Sequence, residues 1–199
     1  MNQSLQQLIH QFDEKNITEE RKAVLTPLRD YIRQKNLSNE PIRLNFICTH
    51  NSRRSHLTQI WAQTMAYHFL KQNLFCYSGG TEATAVFPAV VQTLKAQGFD
   101  IMELSETDNP VYAFKFAENE PPIICFSKVF SNAFNPQRYF AAIMTCDHAD
   151  EACPFVPGAE ARFPIRYTDP KAWDGTEVMT EKYHETSLEI GLEMWWVMG

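Results

Sequence analysis

The stretch from Ile42 to Phe69 constrains this chain more than any other. Ile42 to Cys48 (IRLNFIC) is a short apolar run, and Thr49 to Ser55 is polar. Leu57, Ile60, Trp61, Met65 and Phe69 then recur at helical spacing. A strand, a loop and a helix in immediate succession open a βαβ unit. An apolar run without alternation fits a strand covered on both faces, as in a parallel sheet between helices. The rest of the chain continues the theme. Leu74 to Ser78 reads as a strand ended by Gly79-Gly80, and Phe87 to Gln97 as a helix stopped by Gly98. Val111–Phe116 and Ile123–Phe126 flank Glu118-Asn119-Glu120-Pro121 as a hairpin. Tyr139 to Thr145 is an apolar run ending at Cys146, Phe163–Tyr167 a last strand, and Thr180–Met198 a last helix. The expected class is α/β: three layers, α/β/α, around a central mostly parallel sheet, with an inserted β-hairpin and no internal repeat.

Before Pro41 the pattern differs. Leu5, Leu8, Ile9 and Phe12, then Leu25, Leu28 and Ile32, predict two helices, the second starting at Thr18 with Glu19 and Glu20 behind it. The expected organisation is an N-terminal helical extension over residues 1–40, capping a main domain over residues 41–199. A composition 44% hydrophobic and 13% aromatic supports a packed core. The net charge of -6 argues against nucleic acid and anionic membranes as partners. No run approaches the ~18 apolar residues of a membrane span, and the first residues lack the pattern of an export signal. The reading is therefore cytoplasmic. Five cysteines, an odd count in a reducing compartment, disfavour structural disulfides. Each is either a small core residue or chemically active.

The polar loop carries the strongest chemical signal. Cys48-Thr49-His50-Asn51-Ser52-Arg53-Arg54-Ser55 has the spacing Cys-x5-Arg-Ser. It sits where open α/β sheets bind ligands, beyond the carboxyl end of a strand and before a helix. Backbone N–H groups from Thr49 through Arg54 can wrap one anion, helped by the helix N-terminus. Arg53 adds a second charge to the loop. Arg54 can return over the mouth and bind two oxygens of a tetrahedral oxyanion. The Cys48 sulfur lies at the centre of that positive field, which favours the nucleophilic thiolate. Ser55 can hydrogen-bond the sulfur. Asn51 can take the left-handed backbone that the loop requires and tie it with its side chain. Without its context the spacing is weak, and Cys48 could simply end a strand; the context makes the signal strong.

On these residues the chain resembles the low-molecular-weight protein tyrosine phosphatases and the thioredoxin-coupled arsenate reductases. The likeness runs in order from about residue 42 to the end. It implies the low-molecular-weight phosphatase fold, and it makes Asp169, followed by Pro170, the acid that protonates the leaving oxygen. The stretch Thr145-Cys146, His148-Ala149-Asp150 and Cys153-Pro154 resembles the redox segment of the reductases. The implied mechanism is attack of Cys48 on arsenate, then of Cys146 on Cys48 with release of arsenite, then of Cys153 on Cys146. The segment between Cys146 and Cys153 must loosen to expose the second disulfide to thioredoxin, and no cofactor is needed.

Alternatives stay open. A phosphatase would use Cys48, Arg54 and Asp169 alone, hydrolysing phosphate monoesters through a phosphocysteine. A non-catalytic oxyanion-binding or redox-sensing module is a third reading. His148 with the two cysteines could hold a metal, although no metal is expected. Cys76 and Cys125 read as core, and His10, His56, His68 and His184 receive no role. Trp195, Trp196 and Met198 read as core packing. The chain also departs from the family pattern. His50 and Arg53 stand where smaller residues are usual. Gln59 occupies the place of a potassium-binding Glu, so that ion is not expected. Lys171-Ala172-Trp173 replaces the aromatic pair of many tyrosine phosphatases, which weakens the phosphotyrosine reading.

Overall fold

The computed structural model describes residues 1–152 and 154–199. Its strands are β1 (Ile42–Cys48), β2 (Leu74–Gly80), β3 (Asp100–Glu103), β4 (Tyr112–Lys115), β5 (Ile123–Cys125), β6 (Phe140–Met144) and β7 (Ala159–Pro164). Its α-helices are α1 (Gln3–Ile9), α2 (Glu19–Leu37), α3 (Arg54–His68), α4 (Pro88–Ala96), α5 (Asp147–Ala152) and α6 (Met179–Met198). The main sheet has four parallel strands in the order β2-β1-β6-β7, and β3-β4-β5 form a separate antiparallel sheet. The strand order reverses at β1, so the crevice between β1 and β6 is the switch point where such sheets take ligands.

The two faces of the main sheet are covered unequally. Ile42, Leu44 and Phe46 of β1 join a large core with Leu28 and Ile32 of α2, Ile60 and Trp61 of α3, and Ile190 and Met194 of α6. Ile47 meets a smaller cluster made of Phe140, Ala142 and Met144 of β6, Ala149 of α5 and Val156. Gly191 lets α6 approach α3 closely, because a Cβ there would stand 3.0 Å from the Trp61 ring. The Trp61 indole donates to Ser187 at 2.9 Å, and Ser187 donates to Gln97 at 2.7 Å. This satisfies the polar groups at the centre of that interface.

The N-terminal helices share the large core. Leu5, Leu25, Leu28 and Ile32 are buried in it. Thr18 caps α2, accepting from the Arg21 N–H at 3.2 Å, and Arg21 makes a bidentate pair with Glu193 of α6 at 2.6 and 2.8 Å. Trp196 and Met198 are buried, as their pattern implied.

The expected hairpin is present as β4 and β5. Unexpectedly, Asp100–Glu103 adds a third strand to it. That segment is largely exposed and follows a helix stop, so no apolar run announced it. The last strand also corrects the sequence reading: it is Ala159–Pro164, not Phe163–Tyr167. Its register places Pro164 beside Met144, the last residue of β6. The pairing therefore ends before the apolar Ile165 and Tyr167, which are buried by packing instead.

The outer edge of β2 is closed by side chains. Gln63 donates to the Leu74 carbonyl at 3.2 Å and accepts from the Cys76 N–H at 2.9 Å. Gln59 donates to the Cys76 carbonyl at 3.2 Å, and Asn135 to the Ser78 carbonyl at 2.9 Å.

Candidate active site

The loop after β1 is built by turning its carbonyls outward. Cys48 O accepts from Thr81 N at 3.1 Å, and Thr49 O from Glu82 N at 2.8 Å. His50 O accepts from the Thr84 and Ser127 hydroxyls at 3.1 and 3.0 Å. Asn51 O faces His56 Nε2 at 2.9 Å, and Ser52 O accepts from Phe87 N at 3.0 Å. With five successive carbonyls engaged outside, the loop's N–H groups can line the inner, concave side together with the first turn of α3, an arrangement suited to an anion.

Asn51 is the pivot. It is fully buried and has φ +46, the left-handed conformation that asparagine tolerates. Its amide donates to Ser55 Oγ at 2.8 Å, and its Oδ1 accepts from Lys128 N at 2.9 Å. Because Ser55 Oγ already accepts from Asn51, its own proton is free for the Cys48 sulfur 3.0 Å away.

Gly80, at the end of β2, makes room for this loop. A Cβ there would lie 2.6 Å from Thr49 O and 2.8 Å from Asn51 N. The sequence reading used Gly79-Gly80 only as a strand stop. His56 was also missed. It is fully buried, and burial, reinforced by the nearby Lys128 charge, pushes its pKa down to about 3. A neutral ring facing a carbonyl must carry its proton on Nε2, which leaves Nδ1 to accept from Ser78 Oγ at 3.2 Å. Lys128 lies behind the loop, itself buried and lowered to about 8 by desolvation. Its ammonium stands 4.5 and 5.3 Å from the Phe126 and Phe134 rings. Only burial distinguishes these residues, and single-sequence patterns do not show it.

The two arginines of the loop differ in engagement. Arg54 pairs with Asp169 Oδ2 and donates to Tyr167 O at 2.9 Å. Arg53 borders the pocket but directs its guanidinium elsewhere: Nε donates to the Tyr183 hydroxyl and an NH2 group to Asp174, both at 2.6 Å. It also stacks 3.9 Å from the Phe87 ring. Of the expected anion-binding side chains, Arg53 therefore serves as a tie between the loop, α6 and the segment after Asp169. His50 is at the rim, with Nε2 3.6 Å from Glu82. The open cleft bordered by Cys48, Thr49, His50, Ser52, Arg53, Arg54 and Asp169 has a volume of about 10 Å³, close to the space of one water. A larger groove, about 640 Å³, runs along β2 and β5 and contains none of these residues.

The second thiol adjoins the loop. Cys146 immediately precedes α5 and is buried. Its sulfur lies 3.4 Å from Thr49 Oγ1 and accepts from Ala149 N at 3.4 Å. His148 Nδ1 is 3.5 Å from the same Thr49 hydroxyl. Cys153 lies outside the described residues. Cys76 and Cys125 are buried thiols that desolvation raises, Cys125 to about 12, consistent with the core assignment. Among the described residues no cluster of three His, Cys, Asp or Glu side chains is arranged to hold a metal ion, and no helix is long and apolar enough to cross a membrane.

Known proteins share this frame. The chain is 33% identical to arsenate reductase 2 of Staphylococcus haemolyticus over 130 residues, covering 64% of this chain and 79% of that protein. It is 26% identical to the arsenate reductase of Halalkalibacterium halodurans over 132 residues, 66% of this chain and 76% of that one. A low-molecular-weight phosphotyrosine phosphatase from Vibrio cholerae superposes with a TM-score of 0.51 at 13% identity, covering 79% of this chain and 94% of that one. That likeness concerns the fold alone. No family model matches the chain.

Proposed function

Because the chain belongs to the family of arsenate reductases built on the low-molecular-weight protein tyrosine phosphatase fold, we propose that it reduces arsenate to arsenite with Cys48 as nucleophile. The observation that carries this reading is Cys146: a second buried thiol with its sulfur 3.4 Å from Thr49 of the anion loop. A hydrolase has no use for it, whereas a reductase must deliver two electrons.

In the proposed cycle arsenate enters the loop and draws Arg54 from Asp169 onto its oxygens. The Cys48 thiolate displaces one oxygen, which leaves as water with a proton from Asp169, giving an arsenic–sulfur bond. The Ser55 hydroxyl, 3.0 Å from the sulfur, stabilises sulfur when it departs as an anion. The Cys146 thiolate then attacks Cys48 Sγ. The Cys48–Cys146 disulfide forms, the arsenic–sulfur bond breaks, and arsenic keeps that electron pair and leaves as arsenite. Cys153 next attacks Cys146, giving a Cys146–Cys153 disulfide and a free Cys48. A dithiol of the thioredoxin class takes that disulfide in exchange for two electrons and two protons. Such a cycle needs a reducing compartment, in keeping with a cytoplasmic protein.

The second reading, a phosphatase passing through a phosphocysteine, draws on Cys48, Arg54 and Asp169 alone. The test is thioredoxin-coupled NADPH oxidation with arsenate, in wild type and Cys146→Ser. Arsenate-dependent oxidation that disappears in the variant is expected. A wild type without turnover that still hydrolyses an aryl phosphate through Cys48 would establish the phosphatase instead.

A further inference from the structure

Helix α5 brings Cys146 to the loop, yet six residues of helix are too few to be stable alone. Thr145, ahead of Cys146, is fixed to Ile47 O by its N–H and hydroxyl at 2.8 and 3.0 Å, but Cys146 and His148 make only long contacts to Thr49, at 3.4 and 3.5 Å. Ala149 is a small apolar anchor packed against β6. The strong tether is Asp150. This carboxylate is almost buried and receives two guanidiniums, Arg162 of β7 on Oδ1 and Arg166 on Oδ2. Arg162 also donates to the Asp150 carbonyl at 2.6 Å, and Arg166 reaches Asp147 at 3.0 Å. Arg162 lies in β7 and Arg166 just beyond its end, so the pairs pin the helix to β7 and to the segment that follows it.

We propose that Asp150 is a positioning residue whose clamp by Arg162 and Arg166 sets the reach of Cys146 to Cys48. The proposal rests on the reading of Cys146 as the thiol that attacks Cys48. The Asp150 carboxylate is engaged by Arg162 and Arg166 rather than by the anion loop, so removing its charge should leave attack by Cys48 intact and slow only the step that joins the two sulfurs. Charged tethers between a helix this short and a strand hold firmly when formed and let go when one partner meets water. Arg166 is half exposed and offers that entry.

The experiment separates this clamp from the reductase reading by forming the disulfide without arsenate. Diamide takes two electrons and two protons from a pair of thiols, closing a disulfide and becoming a hydrazine. The rate of Cys48–Cys146 closure, followed by mass analysis of unreduced peptides, is compared for wild type, Asp150→Asn and Arg166→Gln. Closure about tenfold slower in Asp150→Asn and about threefold slower in Arg166→Gln is expected. Hydrolysis of an aryl phosphate by Cys48 should stay within about twofold of wild type in both. Unchanged closure in both variants overturns the clamp, as does an equal fall of closure and hydrolysis, which marks general damage. An unfolded Asp150→Asn leaves the decision to Arg166→Gln, which keeps the Arg162 pair. Arsenate turnover in wild type is read separately, and its absence counts against the reductase reading alone.

Discussion

The anion loop and the Cys146 helix sit side by side but are held by different forces. The loop is fixed by short, mostly neutral hydrogen bonds to buried groups: Asn51, Ser55, His56, Ser78 and the Lys128 amide. Helix α5 is held by ion pairs, one of whose partners is half in water. Neutral bonds in a dry site are hard to open, since no water stands ready to replace a lost partner. Ion pairs at a surface are exchangeable with water and salt. The comparison divides the molecule into a cradle held in one shape and an arm that travels in the proposed cycle.

The most damaging way to break the cradle is Gly80→Ala. Its Cβ would meet Thr49 and Asn51 backbone atoms, and loss of about 100-fold or more in every Cys48-dependent rate is expected, with the thermal midpoint lowered in parallel. Asn51→Ala removes the bond that orients Ser55 and leaves Lys128 N unpaired. An expected cost of about 2–3 kcal/mol, roughly 30- to 160-fold, should fall on hydrolysis and reduction alike. If only one of the two activities falls, the cradle is not shared between them. Arg53→Met frees Asp174 and Tyr183 and loosens the segment carrying Asp169. A fall of about tenfold in the rate of the acid-assisted step is expected, with little change in anion affinity, measured as phosphate inhibition.

Salt sharpens the comparison further. Raising ionic strength from about 0.05 to 1 M should slow arsenate reduction about threefold more than ester hydrolysis, because Arg166 of the arm is half exposed whereas Arg53 and Arg54 of the loop are largely shielded from water. The smallest effect concerns acid stability. The folded His56 binds a proton only near pH 3, against about 6.5 for an ordinary histidine. Between those values the unfolded chain carries the extra proton, so stability is full above about pH 6.5 and falls as pH drops. His56→Gln should flatten that decline in denaturant titrations from pH 7 to pH 4.5. A slope identical to wild type would show that other groups set it.

Much of this frame was legible because its determinants are local. IRLNFIC announced β1, the polar stretch behind it announced the loop, and Thr18 marked a cap that the structure uses. Cys48, Asn51, Ser55 and Arg54 lie within eight residues, so spacing alone brought them together. What escaped depends on distant partners. Arg53 looked like an anion ligand until Asp174 and Tyr183 were seen to hold it. His56 had no pattern, since its role comes from Ser78 on the neighbouring strand. The last strand was misplaced because register with β6, not apolar content, decides which residues pair.

The glutamines along β2 have a consequence of another kind. An edge strand with free backbone groups is a template on which a second chain can assemble. Here Gln59, Gln63 and Asn135 occupy the outward groups of Leu74, Cys76 and Ser78 with amides, which mimic a neighbouring strand while offering nothing to extend. Concentrated solutions of the protein should therefore resist fibrillar self-association at this edge, and Gln63→Ala is the substitution that would expose it.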